Sequence, residues 1–172
     1  MKKVLVIALM LGAGLAYAST LGVPWFMDGG ATGSNPPAAN GDFGAIYIHS
    51  NATAVLEVSI AYYTAVGNYI GPDAPYNTFY IQPNASLGFR PVQDDPSQES
   101  VEARKIPNRP VSSVPPNDNK KNGSIVFSWL GPNTYLQGAF AQYSTVTHVT
   151  SSTNTTPVYM LQGYGHLLPP GI

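Results

Sequence analysis

Cysteine is absent from the 172 residues, and charged side chains make up only 10% of them. Without cysteine, the chain has neither a disulfide framework nor a thiolate-ligated metal site. So few charges, combined with 17 glycines and 16 prolines, exclude a coiled coil. The glycines follow no three-residue period, which excludes collagen, and the 44% apolar content argues against disorder. One globular domain is therefore expected.

The sequence also lacks an apolar run long enough to cross a membrane. The run from Val4 to Leu15 falls short of the about 20 residues that a spanning helix needs. Two lysines precede it and the A-x-A triplet Ala16–Ala18 follows it, which is the pattern of a cleaved signal peptide. We therefore predict a signal helix over residues 1–18, cleavage after Ala18, and a mature chain that begins at Ser19. Such a chain is expected in the periplasm, on the cell surface or in the medium, with no membrane span left.

Positive charge is scarce in the predicted mature chain. Removal of two of the eight basic residues leaves six against nine acidic ones, a net charge of about −3. Nucleic-acid binding requires a basic patch or stripe, so no nucleic-acid partner is expected.

Period-two alternation of apolar and polar residues is the main structural signal that is present. Short β-branched and aromatic runs, separated by Gly, Pro, Asn and Ser, are typical of antiparallel strands. We predict a single all-β domain over 43–172, an antiparallel β-sandwich of immunoglobulin-like or jelly-roll-like type. Residues 19–42 are predicted to form an irregular lead-in, and 50–53 a hairpin loop. The predicted strands cover 43–49, 54–63, 77–82, 85–92, 124–130, 134–144 and 158–164.

A polar, proline-rich segment interrupts these strands. Residues 90–121 hold eleven of the seventeen charged residues and six prolines. Prolines break a β-ladder, and the segment offers no apolar face to bury. We predict a long, mobile loop over 93–121 and no second domain.

The side chains that catalysis needs are few and scattered. His49, His148 and His166 lie far apart, with no metal-ligand spacing between them. A catalytic triad would have to combine residues such as Ser59, His49 and Asp42, without the sequence turn that exposes a serine nucleophile. The adjacent pair Asp94–Asp95 is more typical of a solvated loop than of a sugar-cleaving or Ca²⁺ site, and Asp28 is the only further Ca²⁺ candidate. No enzyme activity, metal or cofactor is predicted.

Tyrosines form the one pattern that indicates a function. In several strands they alternate with the aliphatic residues, so one sheet face is expected to be aliphatic and the other rich in tyrosine. Tyrosine suits wet interfaces, although its preference for strands also places it there without a function. The predicted interaction surface comprises Tyr47, Tyr63, Tyr80, Tyr135, Tyr143 and Tyr159.

The sequence leaves three functions open. The first is an exported structural or interaction domain whose partners are other protein subunits. The second is a carbohydrate-binding module that uses the tyrosine-rich face and Trp129 to hold glycans. The third is a small secreted hydrolase. An assembly subunit predicts an exposed strand edge or apolar patch, a binding module predicts gathered tyrosines, and an enzyme predicts a pocket with a histidine or two carboxylates.

Overall fold

The computed structural model describes residues 18–27, 41–91, 106–109, 122–151 and 154–167. Within these ranges the chain forms β-strands and one short 3-10 turn, with no α-helix. The all-β prediction is therefore confirmed for this part of the chain, whereas the predicted signal helix lies outside it. The strands are β1 (Ala18–Met27), β2 (Gly41–Ser50), β3 (Leu56–Thr64), β4 (Tyr69–Gly71), β5 (Thr78–Ile81), β6 (Ser86–Phe89), β7 (Asn122–Leu130), β8 (Leu136–Ser151) and β9 (Asn154–Leu167).

The strands form two antiparallel sheets. Sheet A has the order β1-β7-β3-β4, with β5 also paired to β3, and sheet B has the order β6-β2-β8-β9. β7 lies along one edge of β3, while β4 and β5 share its other edge, because Ser59 pairs with both Ser128 and Thr78. β3 and β7 are therefore interior strands of sheet A, β1 lies at one edge, and β4 and β5 lie at the other.

One hydrophobic core is shared by side chains from both sheets. β3 alternates strictly between buried and less buried positions, and β7 does the same up to its last residue. Phe127 of sheet A meets Phe89 of sheet B with ring centroids 6.1 Å apart and near-perpendicular planes. The period-two alternation read from the sequence is confirmed in β3 and β7, where the side chains of one phase are buried. The following five are at most 6% exposed: Leu56, Val58, Ile60, Phe127 and Trp129.

The connections between strands differ from those predicted. The segment 50–53 is not a hairpin loop, because β2 pairs with β6 and β8 in sheet B whereas β3 belongs to sheet A. Two backbone hydrogen bonds hold the crossing in place: the Ser50 amide donates to the Ala85 carbonyl, and the Asn51 amide to the Tyr135 carbonyl. Neither partner is near in sequence, so local turn chemistry did not reveal the crossing.

Part of the predicted irregular lead-in is a strand. β1 occupies residues 18–27, and 28–40 lie outside the described residues. Leu21, Val23 and Phe26 are buried, and the register with β7 shifts between Val23 and Phe26. The inserted Pro24–Trp25 pair breaks the alternation, which is why the sequence pattern did not indicate a strand. Proline is also compatible with an edge strand.

Two other segments that lie outside the predicted strands belong to the sheets. β4 lies in the glycine- and proline-containing stretch 67–75, and the Ser/Thr-rich segment 144–156 contributes to β8 and β9. The polar loop 93–121 is described only at 106–109, so the prediction of a mobile loop otherwise falls outside the described residues. At residues 106–109 the chain is attached to the rest of the domain. Ile106 lies in the core, the Tyr62 hydroxyl donates to the Pro107 carbonyl at 2.8 Å, and Arg109 Nε donates to the Pro91 carbonyl at 3.1 Å.

Candidate binding groove on sheet A

A row of hydroxyl side chains crosses sheet A on the face turned away from the core. The register pairs Thr20 with Ser128, Ser128 with Ser59, and Ser59 with Thr78, so the row spans β1, β7, β3 and β5. All four residues occupy the phase opposite to buried neighbours such as Phe127 and Ile60. Adjacent strands lie about 4.8 Å apart, so the row presents hydroxyls at regular intervals across the sheet.

A groove of about 350 Å³ lies over this row, at the end of sheet A where β1 and β3 begin. Ser59, Ser128 and Thr78 supply hydroxyls to its lining, and Glu57 supplies its single charged group. The remaining lining is apolar: Ala18, Val55, Leu56, Trp129 and Leu130. Leu130 is 69% exposed and Val55 is 52% exposed, which is unusual for aliphatic side chains and gives the groove two apolar walls.

Two of the three hydroxyls that line the groove donate to carbonyl groups of the protein. The Ser59 hydroxyl donates to the Ser128 carbonyl at 3.3 Å, and the Thr78 hydroxyl donates to the Pro75 carbonyl at 3.0 Å. A hydroxyl has one proton to donate and two lone pairs, so both hydroxyls keep accepting capacity after these bonds. Glu57 is an acceptor as well, and the Tyr80 hydroxyl donates to its Oε2 at 3.3 Å.

Tyrosines lie at two places on the outer side of sheet A. Tyr80 is 55% exposed beside Glu57, and Tyr63 lies six residues further along β3, about 20 Å away at the usual strand rise. Tyr69, on β4, stacks at a tilt against Tyr63 with ring centroids 5.6 Å apart. Desolvation, the Asp73 carboxylate and Tyr63 all raise the pKa of Tyr69 above its ordinary value. Tyr69 was not among the predicted surface residues, because it lies between the predicted strands 54–63 and 77–82.

The six predicted tyrosines do not all lie on one surface. Tyr63 and Tyr80 lie on sheet A, whereas Tyr47 and Tyr143 lie on the outer side of sheet B. Tyr135 lies in the 3-10 turn and packs partly against the core. The side chain of Tyr159 falls outside the description. Among the tyrosines whose side chains the structure describes, only Tyr62 is buried, and its burial raises its pKa well above the ordinary value, opposed by the nearby Arg109.

The residues considered for catalysis are not brought together where the structure describes them. Ser59 lies on sheet A and His49 on sheet B, where the His49 Nδ1 is 2.9 Å from the Ser86 hydroxyl. Asp42 lies seven residues before His49 on the same strand. Asp28, Asp94 and Asp95, and the side chains of His148 and His166, lie outside the described residues. In the ranges that the structure covers, no three His, Asp or Glu side chains are grouped to hold a metal ion, and no helix is long and apolar enough to cross a membrane.

Comparison with known proteins gives little to set beside this geometry. No family model and no curated protein matches the chain. Its structure is similar to the crystal structure of Thermotoga maritima 1070, with a TM-score of 0.41 and 10% sequence identity over 83% of this chain and 90% of that one.

Proposed function

We propose that this chain is an exported, non-catalytic β-sandwich domain that binds a partner at the cell envelope or outside the cell through the outer face of sheet A. The observation that carries the proposal is the groove over the hydroxyl row, with exposed Leu130, Val55 and Tyr80 around it. Large exposed apolar and aromatic side chains that cluster on one face are typical of interaction surfaces. The lining contains one carboxylate and no histidine, which supports binding over hydrolysis.

The sandwich arrangement is supported by the shared core and by the repeated crossing of the chain between the sheets. β1, β3, β4, β5 and β7 belong to sheet A, while β2, β6, β8 and β9 belong to sheet B. Such crossing connections resemble those of a jelly roll more than those of a meander. Exposed tyrosines lie on the outer side of both sheets, Tyr80 on sheet A and Tyr47 on sheet B.

A carbohydrate-binding module is the second candidate. It is favoured by the exposure of Tyr80 beside the Glu57 carboxylate and by the near absence of buried tyrosines among the described side chains. Tyr80 is the predicted tyrosine that lies beside the groove, through its hydrogen bond to Glu57. Trp129, the other aromatic group expected to hold glycans, lines the groove but is only 3% exposed.

Export is tested by sequencing the amino terminus of the protein recovered from its source cells. The expected first residue is Ser19, because the A-x-A triplet ends at Ala18. Cleavage after Ala18 would remove the first residue of β1 and leave residues 19–27 of the strand. A protein that begins at Met1 would contradict the proposed location.

Binding is tested by co-sedimentation of the mature chain with envelope fragments of the source cell. Tyr80→Ser should lower the bound fraction by about tenfold or more if Tyr80 is an interface hot spot, a change of about 1.4 kcal/mol. Tyr47→Ser is the matched control, because it makes the same change on sheet B. Absence of binding by the unmodified chain, or equal loss in both variants, would overturn the proposal.

A further inference from the structure

We infer that Tyr63, Tyr69 and Asp73 form a site that receives an arginine side chain of a partner protein. This inference rests on the proposed function and adds a second anchor on the outer side of sheet A, about 20 Å from Tyr80. Tyr63 on β3 pairs with Tyr69 on β4, and their ring centroids are 5.6 Å apart. Tyr69 is 46% exposed and Asp73 is exposed as well, so both are accessible to a ligand.

Local hydrogen bonds hold this cluster in place. The Tyr69 hydroxyl donates to the Pro72 carbonyl at 2.7 Å, which fixes the ring beside the residue that precedes Asp73. The Tyr76 amide donates to the Asp73 carbonyl at 2.9 Å and closes a turn over residues 73–76. Desolvation raises the pKa of Tyr69, and the Asp73 carboxylate and Tyr63 raise it further, which is consistent with a carboxylate close to the Tyr69 hydroxyl. The arrangement is therefore formed before a ligand binds.

The two rings suit a cation better than a flat neutral group. Their planes are inclined at 59°, so they do not form one flat surface for stacking. A tyrosine face attracts a cation that lies within about 6 Å of the ring centroid, and a cation between the two rings meets this condition for both. Arginine combines a planar group that stacks on aromatic faces with donors that pair with a carboxylate, which Asp73 supplies.

Positive charge is remote from this cluster in the part of the chain that the structure describes. The described ranges contain no lysine, and their two arginines, Arg90 and Arg109, are buried. The three histidines lie on strands of sheet B. A mature amino terminus at Ser19 would be distant too, because Ser19 and Tyr63 pair with residues of β7 that are five positions apart, about 17 Å. A basic group from a partner would therefore complement Asp73.

The test is an NMR titration of the mature chain with three short peptides of equal length, in which glycine alternates with arginine, lysine or citrulline. Citrulline keeps the shape of arginine without its charge. We expect the arginine peptide to shift the ring signals of Tyr63 and Tyr69. It should bind more tightly than the lysine peptide and at least about tenfold more tightly than the citrulline peptide.

Matched variants separate this site from a general attraction of basic peptides to an acidic protein. Tyr69→Leu should weaken binding of the arginine peptide by about three- to fivefold, while Tyr69→Phe, which keeps the ring, should retain most of it. Asp73→Asn should weaken binding by about threefold. Two controls should have little effect: Glu57→Gln, which removes a carboxylate beside the single ring of Tyr80, and Tyr47→Leu on sheet B.

Lys120 and Lys121 are the internal competitors for the site, since they precede β7 directly in the sequence and lie outside the described residues. A double variant, Lys120→Gln with Lys121→Gln, should bind the arginine peptide as the unmodified chain does. Tighter binding by the double variant would show that lysines of the chain itself fill the site, and the inference would be wrong.

The inference also fails if the citrulline or the lysine peptide binds as tightly as the arginine peptide, or if Asp73→Asn and Glu57→Gln cause equal losses. Failure of the proposed function has a different result. If Tyr80→Ser lowers binding to envelope fragments while Tyr69→Leu does not, and no arginine peptide binds, the arginine site is wrong and the proposed function stands.

Discussion

At the scale of single residues, the two phases of each strand have different physical roles. Ile60 is fully buried between its sheet neighbours, whereas Tyr80, on the adjoining strand β5, is 55% exposed. A buried aliphatic contributes to stability through burial of its surface, while an exposed tyrosine contributes mainly to contacts with other molecules.

Ile60→Ala should lower the free energy of unfolding by about 2–5 kcal/mol, because it leaves a cavity in the shared core. Tyr80→Ser and Tyr47→Ser should each cost within about 1 kcal/mol, since both side chains are exposed. Urea unfolding of the three variants checks this. Tyrosine variants as unstable as Ile60→Ala would mean that the outer faces are covered and that no interaction surface exists there.

The buried side chain of Tyr62 predicts that the stability of the protein depends on pH in the alkaline range. Burial raises the pKa of its hydroxyl, so the folded protein keeps a proton that the unfolded chain releases above its ordinary pKa of about 10. The contribution of Tyr62 to stability should therefore be constant below about pH 10 and should fall as the pH rises above it.

The measurement is urea unfolding of the unmodified chain and of Tyr62→Phe between pH 8 and the alkaline range. Tyr62→Phe should be less stable at pH 8, because the hydrogen bond to the Pro107 carbonyl is lost, but its stability should decline less steeply above about pH 10. Parallel stability curves for the two proteins would show that Tyr62 ionises as readily in the folded protein as in the unfolded chain, which would contradict the prediction.

At the scale of the strands, the close approach of β7 to β3 depends on a glycine. A Cβ at Gly123 would overlap the carbonyl oxygen of Tyr63, whereas a Cβ at Gly22 on β1 would meet nothing within 4 Å. Gly123→Ala should therefore destabilise the protein by about 1–3 kcal/mol through overpacking, and Gly22→Ala should change stability little. Thermal unfolding of this pair checks the register of β7, and equal effects of both substitutions would contradict it.

Strand positions were predictable, but their assignment to sheets was not. The alternation in Leu56–Thr64 and Asn122–Leu130 is local, so it could be read from the sequence. The crossing at 50–53 depends on hydrogen bonds to Ala85 and Tyr135, which are remote in sequence. The groove could not be predicted for the same reason. Ser59 and Ser128 read as ordinary polar strand positions until the register of three strands aligns them.

At the scale of the whole molecule, the arrangement separates the tyrosines that the sequence grouped together. Tyr80, Tyr63 and Tyr69 lie on the side of sheet A, and Tyr47 lies on sheet B. A strand pattern shows that a side chain points outward, but it does not show on which of two sheets. We therefore assign the partner to one outer face of the molecule.

Hydroxyl-radical footprinting of the mature chain, with and without envelope fragments, tests that assignment most directly. The oxidation of each tyrosine is read by mass spectrometry, and exposed Tyr80, Tyr69 and Tyr47 all report in one experiment. We expect binding to protect Tyr80 most strongly, because it adjoins the groove, and to leave Tyr47 unchanged. Protection of Tyr47 with Tyr80 still fully oxidised would contradict the account, since it would place the partner on sheet B.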